Sequence, residues 1–500
     1  MLRAKGNIAV ADIAAKHSQD RINETTTLDI LPWFLALAFG RAWLTLTYAS
    51  PHVALPGLVP LHYTLFDLVY CAVSIIVVIA AHAIAPLCEK RWARGAALAC
   101  MLAASACCIC VMGMTPEQAT LTQVAGALTA AGAILAGAGF ALLLLLWSEV
   151  LSTLSMRRIV MQLASAQILA LVILFFCQGL DPLRLGVAIV VLPLIAIHSI
   201  GRAWHSTPAT ARPQRTDVRF TFPWKIVLLL GVYSFAYGIR QETLTASGNI
   251  STNIATVIVM AFLFVGARFF ADKFSLSLLY RSPIPLMICG FLLIPAEGFV
   301  GPAVSNLFVS TSYVLANTFF TLLLYDIVKR MGIVVIALFG IKNAMQVFII
   351  AGDTLASALQ ASSLSSETQT IVLSLAVVGA ITVATFLLFS ERELTTKWGV
   401  SLLDAGSLGE QSRREELVSA RCDEVSRASR LSPREDEVLR LLAKEKTTHE
   451  IACELGIAEG TAKAHVSHIY EKTGANGRCE LNELLGVTSL TATDAARTTR

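Results

Sequence analysis

The sequence predicts an all-α protein: a twelve-helix transmembrane bundle of two six-helix halves, followed by a small C-terminal four-helix unit. Three observations predict it. Of 500 residues, 55% are hydrophobic and only 15% charged, and the mean hydropathy is +0.66. That composition points to one large membrane domain where the length alone would give three or four soluble ones. Twelve apolar stretches recur, each close to the roughly 20 residues that cross a bilayer as a helix. Beyond residue 390 the chain turns charged, and its apolar residues fall at helical spacing instead of in continuous runs.

Residues 1–28 carry mixed charge, with no short apolar core and no cleavage pattern. They read as a cytoplasmic N-terminal segment, not a removed signal. The first membrane half, 29–200, holds stretches at 30–49, 62–86, 95–114, 122–149, 159–180 and 183–200. A polar central loop at 201–223 follows. The second half, 224–390, holds stretches at 224–243, 250–270, 282–298, 302–327, 331–351 and 368–389. A charged linker with a helical run occupies 391–430, a compact unit 431–487, and a disordered tail 488–500.

Lys and Arg placement sets the orientation. Residues 1–390 contain 23 of them; with the N-terminus in the cytoplasm, 19 lie on that side. Only Arg184 and Arg240 lie outside, and Arg41 and Lys342 lie within spans. An even number of crossings returns the C-terminus to the cytoplasm, so both termini are expected there, in a bacterial inner membrane. Eight of the eleven cysteines lie in or beside apolar stretches, and Cys422, Cys453 and Cys479 lie in the tail. That usage fits a reducing compartment for the tail.

The halves echo each other. LLLLLWSEVLSTLSMRR closes the fourth stretch and TLLLYDIVKR the tenth, so Glu149 and Asp326 occupy matching places near basic residues that would neutralise them. Arg41 and Arg240 likewise correspond. Six-span repeats joined by a basic loop are the plan of many secondary transporters. The loop after the second stretch, APLCEKRWAR, and its counterpart RFFADKFS resemble an eroded signature loop of the major facilitator family: Glu89, Lys90, Arg94, Asp272 and Lys273 match in kind, while Ala85 and Trp92 replace glycines.

In the C-terminal unit, Ser432, Pro433 and Glu435 form a helix-starting capping box, followed by apolar Val438, Leu439 and Leu442. Thr447 and Glu450 repeat the box and open a helix with Ile451, Ala452 and Leu455 inward. Gly456 supplies a turn. The next helix, about 459–472, buries Ala462, Val466 and Ile469 and presents Gly460, Lys463, Ala464, Ser467 and Glu471 on the opposite face. A last helix carries Leu481, Leu484 and Leu485 on one side, a surface for pairing two copies.

These residues resemble the LuxR-type helix-turn-helix family. Leu431, Arg434, Glu435, Glu437, Val438, Leu439, Ile451, Ala452, Leu455, Ile457, Thr461, Lys463, His465, Val466, Lys472 and Arg478 match its signature. The resemblance implies a DNA-binding domain at 431–487. Gly460, Thr461, Lys463, Ala464, His465 and Ser467 would face promoter DNA from the recognition helix, and Thr448 and His449 would touch the backbone. Ala458 stands where the family has an N-cap serine, Glu445 where it has a glycine, and Ala462 and Thr473 trim the core. The unit holds seven Lys and Arg against ten Asp and Glu, so non-specific attraction to phosphate is weak and a homodimer is expected on DNA.

Ionisable residues inside spans are costly and point to function. Arg41, with Lys342, Asn343 and Gln346 in the eleventh stretch and Arg240 near the rim, form a candidate pocket for an anionic ligand; the alternative is that each holds helices together. Trp147, Tyr237 and Tyr325 either line a pocket or anchor at the bilayer surface. Cys100, Cys107, Cys108 and Cys110 do not form a metal pattern, since helical neighbours point apart. GAILAGAG (132–139) lacks the lysine of a phosphate loop and reads as close helix packing. No catalytic constellation and no cofactor fingerprint is present, so the chain reads as a non-enzyme needing no cofactor. The expectation is a one-component transcriptional regulator embedded in the lipid bilayer, sensing a small molecule or the envelope state. A transporter carrying a regulatory DNA-binding domain is the alternative, and a passive anchor a third reading.

Overall fold

The computed structural model describes residues 31–49, 59–113, 119–177, 179–207, 212, 224–247, 249–270, 279, 281–331, 333–360, 366–388, 408–443 and 446–485. The N-terminal segment 1–28, most of the central loop, Asp272, Lys273, Glu445, residues 391–407 and the tail 488–500 lie outside them.

The described residues form helices. In the first half these are α1 (Ala36–Leu44), α2 (Val59–Ile84), α3 (Arg91–Met112), α4 (Ala119–Ser152), α5 (Met156–Cys177) and α6 (Pro182–Ser206). The second half holds α7 (Trp224–Ile239), α8 (Gln241–Ala246), α9 (Ile250–Phe269), α10 (Pro283–Leu292), α11 (Glu297–Val300), α12 (Pro302–Met331), α13 (Val335–Ala344), α14 (Val347–Gln360) and α15 (Ser366–Leu388). The C-terminal part holds α16 (Leu408–Ala428), α17 (Pro433–Ala443), α18 (Thr448–Leu455), α19 (Glu459–Thr473) and α20 (Arg478–Leu484).

Each of the twelve apolar stretches falls on helix. Among the described residues, eight helices are long and apolar enough to cross a membrane, and Val227–Ile239, Pro283–Leu292 and Ile371–Thr385 are shorter apolar helices. The first stretch is shorter still as regular helix, because a 3-10 turn (Pro32–Leu35) precedes α1 and a π turn (Thr45–Ala49) follows it. Other breaks have local causes. Pro295, which lacks an N–H, sits in a 3-10 turn between α10 and α11. Between α13 and α14, the Gln346 N–H turns back to the Asn343 carbonyl at 3.1 Å, three residues away instead of four. This tightened turn lies among Lys342, Asn343 and Gln346. A broken helix within a bundle frees backbone groups where they line a cavity.

Packing repeats across the halves. In the first, α1 contacts α5 and α6, α4 contacts α2 and α3, and α3 contacts α6. In the second, α7 contacts α14 and α15, α12 contacts α9 and α10, and α10 contacts α15. Helix for helix, the pairings match. The halves meet through α5 against α9 and α2 against α13, which also correspond. One side of this seam is bonded by Arg157 Nε, donating to the Ala267 carbonyl at 3.0 Å, and by Lys329, donating to the Leu154 carbonyl.

Polarity is turned inside out relative to a water-soluble bundle. Ile76, Ile79, Phe175, Phe176 and Leu375 are exposed, while Ser74, Ser105, Gln162, Asn306 and Ser310 are buried. Glycines allow backbones to touch: a Cβ on Gly137 would lie 2.6 Å from the Phe66 carbonyl oxygen of α2. Buried polar side chains knit neighbours together, as where Trp43 Nε1 donates to Ser105 Oγ at 2.9 Å and Ser105 donates to the Ile189 carbonyl at 3.1 Å.

The sequence implied that neighbouring bases neutralise Glu149; among the described residues its carboxylate meets backbone N–H groups instead. It is buried and accepts the backbone N–H groups of Leu87 and Cys88 at 2.8 and 2.7 Å. The fourth helix thereby fixes the loop after the second, because a carboxylate offers two acceptors to adjacent N–H groups. Trp147 is buried too, donating to the Phe34 carbonyl at 3.0 Å, so it is not a surface anchor. Tyr325 is buried against Phe339.

A second hydrophobic core serves the C-terminal part, built on Val438, Leu439, Leu442, Ile451, Ala462, Ile469 and Leu481. Cys422 belongs to it, with Val418 and Val425 packed alongside, and Arg440 bridges Asp436 at 2.9 Å and also Asp423. So α16, read from sequence as linker, is partly core of this unit. It also contacts α5 of the bundle. The expected pairing surface on α20 is corrected: Leu481 and Leu485 are buried in the unit's own core and only Leu484 is exposed, since residues four apart share one helix face.

Candidate functional site

Both expected capping boxes form. The Ser432 N–H donates to Glu435 Oε2 at 2.7 Å, and the Glu435 N–H returns to Ser432 Oγ at 3.3 Å. The Thr447 N–H donates to Glu450 Oε2 at 2.6 Å, answered by the Glu450 N–H to Thr447 Oγ1 at 3.3 Å. Each box satisfies donors that a helix start leaves open. Glu435 does more: Lys472 Nζ reaches its two oxygens at 2.9 and 2.7 Å, tying the end of α19 to the start of α17. That ammonium first, and the Ser432 N–H second, hold the Glu435 carboxyl down at about 2. Arg434 donates to the Leu455 carbonyl at 2.8 Å, gripping the C-terminal end of α18. Gly456 then turns the chain at φ 62°, a left-handed conformation glycine adopts without a Cβ penalty.

These contacts fix α19 across α18 with one face outward. Gly460, Thr461, Lys463, Ala464 and Ser467 are exposed on it, and His465 is half-buried. Ala462 and Ile469 are buried on the reverse, and Val466 is half-buried. Thr448 and His449 stand at the start of α18, His449 exposed. Ala458 is the N-cap of α19, and no side chain caps the helix. Exposed Gly460 and Ala464 flank this uncapped helix start, and small side chains there suit close approach of an anion.

Glu459 is an addition that the sequence pattern missed. Its carboxylate receives Lys463 Nζ at 2.8 Å and His449 Nδ1 at 3.3 Å. Lys463 above all, and His449 after it, hold the Glu459 carboxyl below the usual carboxylate range. The spacing of four residues between Glu459 and Lys463 was the available clue. The outward lysine is therefore held beside the helix start.

In the bundle, Arg41 of α1 donates to the Gln167 amide of α5. The Tyr237 and Tyr313 rings stack at 4.3 Å. Gln346 Nε2 lies 3.5 Å from Asp67 Oδ1. Lys342, one turn before Gln346, has no ion-pair or hydrogen-bond partner among the described residues, and Asn343 is buried. Asp67 of the first half and Gln346 of the second thus come together. Asp67 is an ionisable residue inside an apolar stretch and was detectable on that ground alone; Gln167 and Tyr313 needed the fold.

Arg240 stands apart from this group. Its guanidinium meets Glu297 at 2.7 Å and Asn306 Oδ1 at 2.8 and 3.1 Å, with Ser305 within reach. It is a buried, neutralised strut between α7 and α12, which removes the reason for placing it in a pocket.

The family described as bacterial regulatory proteins, luxR family, matches residues 429–485. The spore germination protein GerE of Bacillus subtilis (strain 168) is 48% identical over 50 residues, 10% of this chain and 68% of that protein. The transcriptional regulatory protein DesR of the same organism is 47% identical over 58 residues, 12% of this chain and 29% of that protein. Each likeness is about as long as the C-terminal unit, whose outward helix, paired caps and glycine turn are those of a helix-turn-helix DNA reader. By that C-terminal domain, the chain belongs to the luxR family of bacterial regulatory proteins.

Proposed function

We propose that this chain is a one-component transcriptional regulator of the bacterial inner membrane, in which a twelve-span bundle senses a small molecule and the luxR-family domain binds promoter DNA. The observation that carries it is the union, in one chain, of a DNA reader with a bundle whose centre holds charges unpaired with one another. Twelve helical stretches, matched pairings in two halves and 19 basic residues on one side support an even number of crossings with both termini cytoplasmic. The recognition face is Gly460, Thr461, Lys463, Ala464, His465 and Ser467, with Thr448 and His449 against the phosphate backbone. Arg41, Lys342, Asn343 and Gln346 bind an anionic group of the ligand.

The signal passes through α5. That helix carries Gln167, the partner of Arg41, near its middle, Arg157 of the inter-half seam at its start, and a contact with α16 of the reader. A ligand that favours one arrangement of the halves thereby shifts the reader's placement or pairing on DNA. Dimerisation on DNA then relies on surfaces other than the buried Leu481 and Leu485.

A promoter reporter in cells tests this. Lys463→Ala should abolish regulation with the protein still in the membrane, whereas Arg41→Gln should leave DNA binding intact and fix the reporter in one state. A reporter that responds normally in Arg41→Gln contradicts the sensing role. The matched pairings also favour a second reading, a working transporter with a regulatory domain. Uptake of solute into proteoliposomes separates the two, since a sensor binds without accumulating.

A further inference from the structure

We propose that Glu459 is a specificity-determining residue of the reader: its carboxylate accepts the N4 amino group of a cytosine in the major groove and releases Lys463 to a phosphate. This deepens the recognition-face reading above and rests on it.

Glu459 and Lys463 stand four residues apart in α19 and so share one helix face. Both are exposed, beside exposed Gly460 and Ala464. They occupy the opening turns of the helix, the part that meets base edges when a recognition helix lies in the groove. An acidic side chain there has a plain alternative role, steadying the helix start through the macrodipole. Its contacts go beyond that role. Oε1 receives Lys463 Nζ at 2.8 Å, and Oε2 lies 3.3 Å from His449 Nδ1 of α18. Both oxygens thus meet the side chains that the reader offers to phosphate.

Exposed ion pairs are worth little in water, and DNA offers Lys463 a phosphate in exchange. On an arbitrary sequence that exchange strands the Glu459 carboxylate beside a polyanion with no donor to meet it. Keeping the pair instead denies Lys463 to the phosphate. Either way, unrelated DNA gains little. A donor on a base edge removes the conflict. The major groove displays the N4 amino group of cytosine and the N6 amino group of adenine, but adenine sets its N7 acceptor beside that donor. A carboxylate can only accept, so N7 repels it. Cytosine is therefore the base that Glu459 selects.

The test is selection from a pool of random DNA duplexes by the full chain in lipid nanodiscs. The enriched site should carry a cytosine preferred about tenfold over the other bases, the scale of one good base contact. Glu459→Gln should replace that cytosine by adenine, because an amide both donates and accepts and so matches N7 and N6. Glu459→Ala should take any base at that position and keep the rest of the site. Both variants should hold a fixed, unrelated duplex more tightly than wild type, since a charge opposing phosphate is gone. Glu471→Gln, which removes the same charge from the far end of α19, should leave the enriched sequence unchanged. An enriched sequence identical to wild type in either Glu459 variant, the same base change in Glu471→Gln, or loss of the whole site in both Glu459 variants overturns the assignment and leaves the recognition face standing. Enrichment of the wild-type sequence undiminished in Lys463→Ala, or of no sequence by the wild-type chain, overturns the recognition face and this inference with it.

Discussion

Removing the charge at Glu435 should loosen the reader without touching its DNA-facing side. Glu435 is buried, receives the Ser432 N–H and both bonds from Lys472, and its carboxyl lies at about 2 in place of the usual 4.5. At about 1.4 kcal/mol per pH unit, that lowering corresponds to about 3 kcal/mol of folding stability. Lys472 is 41% exposed, so solvent screening reduces the working figure to about 2 kcal/mol. A carboxyl depressed on folding stabilises the folded state fully above its unfolded value. The contribution is therefore complete at neutral pH and disappears as pH falls through 4.5 toward 2. Hydrogen exchange of the α17 and α19 amides in the full chain reads it directly. Glu435→Gln should speed their exchange about thirtyfold at neutral pH, after correction for intrinsic rates, and the difference from wild type should shrink on acidification. Exchange in Glu435→Gln within a factor of two of wild type, or a difference that grows with acid, would refute the assigned role of the Lys472 pair.

Three other outcomes are expected. Lys463→Ala should cost about 1–3 kcal/mol of promoter affinity and leave the α17 and α19 exchange pattern unchanged, as measured by DNA binding of the nanodisc-held chain. Ala458→Ser, which gives α19 the side-chain cap it lacks, should add about 1 kcal/mol to local stability, seen as slower exchange in its first turn. Gly137→Ala should impair the bundle, because the added carbon would sit 2.6 Å from the Phe66 carbonyl oxygen and overpacking of this kind costs about 1–3 kcal/mol; the yield of monodisperse full chain checks it.

Local rules served best where they act through the nearest turn. The caps at Ser432 and Thr447, the turn at Gly456 and the buried stripe of Ala462 and Ile469 were all legible, because each depends on residues three or four apart. The apolar stretches fell on helices because hydropathy marks them, but the eleventh, expected at 331–351, runs on as α14 to Gln360. What failed depends on distant partners. Arg240 looked available until Glu297, 57 residues away, was placed beside it. Leu481 and Leu485 looked like a dimer surface because a stripe on a helix does not say whether its partner is the same chain. Glu149 was matched to nearby bases, yet its acceptors were taken by N–H groups 61 and 62 residues earlier. The break between α13 and α14 had no proline to announce it, only a cluster of polar residues.

The account stands on a DNA-binding domain held on the cytoplasmic face of a membrane by an even number of crossings. Fusing to residue 500 a reporter that matures only in the cytoplasm, and in parallel an enzyme active only outside it, measures this in intact cells. The cytoplasmic reporter should be active and the external enzyme silent, in a protein recovered with the membrane fraction. An active external enzyme at that position would contradict the account, because no reader outside the cytoplasm reaches a promoter.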